Sequence, residues 1–148
     1  MNISIASDHG GYELKESIIK SLDQFSFIDL GTNSNESVHY PLFSDLVCHS
    51  ILKNESQCGI LICGTGIGIS IRANRYNGIR AAVIHDVNTA TMAKAHNNAN
   101  ILCFGGRILS LDQAISCIQA WIDTEFESGR HLNRISMLDQ PIDYSPYP

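Results

Sequence analysis

The sequence predicts an α/β fold, a three-layer α/β/α sandwich around a doubly wound, five-stranded parallel sheet in a single domain. Three observations carry that expectation. Short β-rich runs alternate with amphipathic helical patterns along most of the chain, as in successive βα units. Ile60, Leu61 and Ile62 follow one another with no polar alternation, which suits a strand covered on both faces. A length of 148 residues is enough for one such domain with a good core and too short for two.

Residues 2–7 read as the first strand, closed by the turn Asp8-His9-Gly10-Gly11. Tyr12, Leu14, Ile18, Ile19 and Leu22 then recur at helical spacing. Residues 25–30 form a second strand, and 31–40 are the most loop-like stretch. Pro41 is placed to open a helix that carries Leu42, Phe43, Leu46, Val47 and Ile51. The third strand runs into Cys63, after which Gly64, Gly66 and Gly68 free the backbone and 67–74 begin a helix. A fourth strand at 79–84, an alanine-rich helix at 87–96, a fifth strand at 101–104 and an amphipathic helix at 111–126 complete a Rossmann-like order. Residues 129–148 show little apolar periodicity and are expected to lie extended, over a second subunit.

A formal charge of −5 argues against nucleic acid or an anionic membrane as partner. The N-terminus lacks a basic region and a long apolar run, and no segment has the apolar length to span a bilayer, so a cytoplasmic protein is expected. Five cysteines without CxxC spacing read as reduced thiols, with neither a disulfide framework nor a zinc site.

In a doubly wound sheet, ligands bind beyond the carboxyl ends of the strands. Asp8, His9, the turn from Cys63 to Gly68, His85, Asp86 and Arg107 should therefore share one rim. GTGIG is not a dinucleotide fingerprint, because it lacks the third glycine and follows the third strand; no Gly-Lys-Ser/Thr makes it a P-loop. Its converging N–H groups suit an anion. Cys48, Cys58, Cys103 and Cys117 read as small buried hydrophobes. Cys63, at a strand end beside a helix N-terminus, is placed to hold a thiolate and move a proton, or to act as a nucleophile. Among the histidines, His9 beside Asp8 and His96 beside Asn97 stand out; His39, His49 and His85 default to surface or structural roles. Arg130 and Arg134, four residues apart, form either a solvated basic face or a phosphate clamp.

Six ordered motifs make the sequence resemble the ribose-5-phosphate isomerase B family, which includes the galactose-6-phosphate isomerase subunits. They are SDHGGYELK at 7–15, YP at 40–41, GILICGTGIGISIRANR at 59–75, HNNAN at 96–100, FGGR at 104–107 and GRHLNR at 129–134. The resemblance implies interconversion of ribose 5-phosphate and ribulose 5-phosphate in the pentose phosphate pathway, without metal or cofactor. It also implies a homodimer or dimer of dimers with sites at the subunit interface. On the family's pattern Cys63 is the base, Thr65 assists proton exchange at the oxygens, and Gly64, Gly66, Ile67 and Gly68 belong to the backbone that holds the oxyanion. His96 opens the sugar ring with Asn97 beside it, and Asp8 and Tyr40 contact hydroxyls or the ring oxygen. His9, Arg107, Arg130 and Arg134 bind phosphate, and His131 falls in either group. His96, Asn97 and Arg107 are expected from the neighbouring subunit. Two departures are His39, where the family often has Asp, and Arg72, where it has a small residue. A six-carbon sugar phosphate, galactose or allose 6-phosphate, is the alternative substrate, and a non-catalytic sensor the alternative class.

Overall fold

The computed structural model describes residues 1–140. Five strands, β1 (Asn2–Ser7), β2 (Ser26–Asp29), β3 (Cys58–Cys63), β4 (Ala81–Val83) and β5 (Ile101–Gly105), form one sheet in the order β2-β1-β3-β5-β4. Every pairing is parallel. The helices are α1 (Tyr12–Ser21), α2 (Tyr40–Leu52), α3 (Ile67–Ala73), α4 (Val87–Ala95), α5 (Leu111–Asp123) and α6 (Arg130–Leu138).

Two cores explain the unbroken apolar run of β3. Ile60 and Ile62 point toward the side packed by α1, α4 and α5, with Ile18, Ala90, Ile118 and Trp121. Leu61 and Cys63 point the other way, toward Val47 and Cys48 of α2 and Ile69 of α3. A strand with helices on both faces has no solvent side to mark with polar residues.

The structure alters several expected boundaries. The fourth strand is shorter because the Asn100 side chain takes over its amino end: Asn100 Oδ1 accepts from the Arg80 N–H at 2.8 Å and Asn100 Nδ2 donates to Gly78 O. The last long helix stops at Asp123, where Thr124 turns extended. Residues 130–138 are a helix, not an extended strap; of its residues His131 and Ile135 are buried. The end of the expected strap, 141–148, lies outside the described residues.

Lys15 is fully buried, which its amphipathic helix pattern does not announce. Its Nζ pairs with Glu16 and Asp29, each at 2.6 Å, so α1 is tied to the end of β2 by a charge that is costly to bury without partners. Among the described residues no helix is long and apolar enough to cross a membrane.

Candidate active site

At the carboxyl end of β3 the chain turns so sharply that three loops touch through their backbones. The Gly106 N–H donates to Cys63 O at 2.7 Å, and the Arg107 N–H to Gly64 O. A methyl group on Gly106 would sit 2.2 Å from Gly10 O, so only glycine fits that crossing. Gly66 has φ +80°, the left-handed region, and its N–H donates to Cys63 Sγ at 3.1 Å. The sulfur is thereby fixed by the turn that follows it. Cys63 is 4% exposed, set at the rim of the α2–α3 core.

The side chains expected here converge on this turn. Asp8 is buried and its Oδ1 accepts from the Gly10 N–H at 2.8 Å, which locks the first loop. His9 Nδ1 accepts from the Val38 N–H at 3.2 Å, so in the neutral ring Nε2 carries the proton. Thr65 Oγ1 accepts from the Ile67 N–H at 3.3 Å. Tyr40, at the start of α2, lies across Gly68, its hydroxyl 2.8 Å from where a Cβ would be. Arg107 Nη1 is 3.0 Å from the equivalent point on Gly64. Arg107 was expected from a neighbouring subunit; its guanidinium packs on the glycine turn of its own chain, because Gly105 and Gly106 let β5 cross close to β3.

His85 and Asp86 do not join this group. Asp86 caps α4, accepting from the Thr89 N–H at 2.7 Å, and that backbone hydrogen bond holds its carboxyl below the usual range. Burial pushes the thiols of Cys48 and Cys58 up, to about 12 and about 11, and raises Cys103 and Cys117 as well. These four fit the inert roles the sequence suggests. Arg72 forms a two-pronged ion pair with Asp45 at 2.7 and 2.9 Å, a surface tie between α2 and α3.

A second group lies at the other end of the sheet. Helix α4 runs back from β4, so His96 and Asn97 arrive at the amino end of β5, next to Asn100, whose carbonyl accepts from the Gly59 N–H at 2.9 Å. From Gly59 to Cys63 is roughly 13 Å along an extended strand. The His96 and His131 rings stack at 4.4 Å with an 8° interplanar angle. Burial, then the neighbouring His96, holds the His131 imidazole below its ordinary value. Arg130 and Arg134 are exposed on α6. Asn97 O accepts from Arg80 Nε at 3.1 Å. Glu127, four residues before His131, lies beside both rings. Its i,i+4 spacing was the available sequence signal, hidden because it falls before the start of α6.

The fold and this rim define a doubly wound α/β protein with a glycine turn and a thiol at the carboxyl end of its central strand. Residues 3–138 match the family described as Ribose/Galactose Isomerase. The ribose-5-phosphate isomerase B of Escherichia coli K12 is 39% identical, over 92% of this chain and 93% of its own. The structure of Clostridium thermocellum ribose-5-phosphate isomerase B superposes with a TM-score of 0.92 at 46% identity, covering 94% of this chain and 95% of that one. That of the Mycoplasma genitalium isomerase B with bound ribulose 5-phosphate gives 0.89 at 40% identity, covering 93% of each. The chain belongs to the ribose/galactose isomerase family.

Proposed function

We propose that the protein is an aldose–ketose isomerase interconverting D-ribose 5-phosphate and D-ribulose 5-phosphate. The observation that carries this reading is the packing of Cys63, the glycine-turn N–H groups, Asp8, Tyr40 and Arg107 at one rim, with His9 on the same loop as Asp8. Once the ring is open, the Cys63 thiolate takes the proton from C2, and the electron pair forms an enediolate whose charge falls on O1. Preorganised N–H groups of the Gly64–Gly68 turn stabilise that charge. Thr65 passes the proton from O2 to O1, and the Cys63 thiol returns its proton to C1. No atom is gained or lost. Arg107 and His9 hold the phosphate. The ribulose 5-phosphate bound in the Mycoplasma genitalium relative favours the five-carbon substrate over galactose or allose 6-phosphate.

The ring opener, His96, with Asn97, comes from a second copy of the chain, together with Arg130, His131 and Arg134 for the phosphate. Two observations support this. The groups lie at opposite ends of one sheet, and Leu42, Leu46, Ile67 and Ile71 expose an apolar face beside Tyr40 and the glycine turn. A coupled assay on ribose 5-phosphate, with and without chelator and against the six-carbon phosphates, tests the activity; higher kcat/KM on a six-carbon substrate would overturn the assignment. Mixing unfolded and refolded Cys63→Ala with His96→Ala tests the sharing. Random pairing should restore about a quarter of wild-type activity, because half the dimers hold one intact site. No recovery would place both groups in one chain's site.

A further inference from the structure

The corner between α4 and α6 sets beside His96 and His131 a carboxylate, Glu127, that the isomerisation does not use. Nε2 of His96 and Nε2 of His131 lie 3.6 and 3.5 Å from the same Glu127 oxygen, Oε2. One ligand atom from each residue falls within 4.8 Å of the others. These separations are long for hydrogen bonds. They are close to the ligand-to-ligand edge of a tetrahedron whose ligands sit about 2.1 Å from a metal ion, roughly 3.4 Å. Independently, His131 Nε2 is buried with no hydrogen-bond partner, and it faces Glu127 and His96.

We propose that His96, Glu127 and His131 bind a divalent transition metal ion of the zinc class, with water in the fourth position. Two imidazole nitrogens and one carboxylate oxygen are a donor set that zinc accepts, whereas magnesium asks for octahedral oxygen. The frame is built without the ion: the Glu127 N–H donates to Ala95 O at 2.9 Å and the His131 N–H to Ser128 O at 3.0 Å. The stacked rings must tilt to aim both lone pairs at one point. His96 and Glu127, with side chains 36% and 54% exposed, have the room, and His131 at 8% is the fixed ligand. Glu127 supplies the negative charge; Arg130 and Arg134 oppose it and keep the site weaker than a cysteine-rich structural zinc centre. On the reading of His96 as ring opener, a bound ion takes its lone pair and the enzyme is inhibited.

Chelator-stripped protein is titrated with zinc chloride by calorimetry and with cobalt(II) by visible absorption. One ion per chain is expected, with affinity reduced about tenfold or more in Glu127→Gln. The cobalt spectrum should show d–d bands without thiolate-to-metal charge transfer. Replacing buried His131 risks misfolding, so the exposed Glu127→Gln variant carries the test. No binding, undiminished binding in that variant, or a thiolate band overturns the site. Binding is read without turnover, so its failure leaves the isomerase reading standing. Zinc should also inhibit turnover reversibly, and inhibit Glu127→Gln less relative to that variant's own metal-free rate. A bound ion without inhibition overturns the consequence for catalysis.

Discussion

The glycine turn and the α4–α6 corner each gather polar residues, but they are made in opposite ways. At the turn, position comes from backbone: Gly10, Gly64 and Gly106 allow three loops to approach within contact distance, and the side chains stand on that rigid base. At the corner, position comes from side chains at helix ends, His96 following α4 and Arg130, His131 and Arg134 on α6. The difference is one of tolerance. A backbone crossing admits no added atom, while an exposed helix-end side chain such as Arg130 or Arg134 is free to be shortened.

The largest effect should therefore come from Gly106→Ala, whose methyl group would meet backbone on two sides, the Gly10 carbonyl oxygen at 2.2 Å and Gly11 Cα at 2.9 Å. A loss of about 3 kcal/mol or more in urea unfolding is expected; a stability near wild type would show that the loops can part easily. Next is Cys63→Ala, which should lower turnover at least about 100-fold while leaving inorganic phosphate binding in place. Near-normal turnover would remove the sulfur from the chemistry. Smallest is Arg134→Ala, expected to raise KM about tenfold or more, as loss of a charged hydrogen bond does, with kcat little changed and the melting temperature unmoved. An unchanged KM would detach α6 from the phosphate, and a lowered melting temperature would mean that this corner is structural after all.

The same contrast explains what could be read in advance. β1, β3 and β5 were legible because both of their faces are covered and, after the exposed Asn2, every residue is apolar or small. The glycine turn was legible because its constraints are local. β4 was overextended because an asparagine twenty residues away in sequence replaces its ladder at Arg80, and no pattern marks a side chain standing in for a strand. α6 reads two ways in the sequence: Arg130 and Arg134 stand four apart, as on one helical face, yet the segment is short and buries only His131 and Ile135. Lys15 looked like any helix-surface lysine, since its partners Asp29 and Glu16 are found only once α1 has packed. Arg107, expected from a neighbouring chain, packs on Gly64 of its own, because a motif states which residue is present and not which way β5 brings it. The separation of His96 and Asn97 from the glycine turn follows from the path of α4, a property of topology that no single motif carries.

All five thiols are sheltered, from Cys58 at 8% exposure to Cys103 at 0% in the middle of the sheet. A bulky alkylating reagent can reach Cys103 only when the strands separate, so its labelling rate is a clock for global opening. Cys58 and Cys63, nearer the surface, would tick faster and report local breathing at the two ends of the same strand.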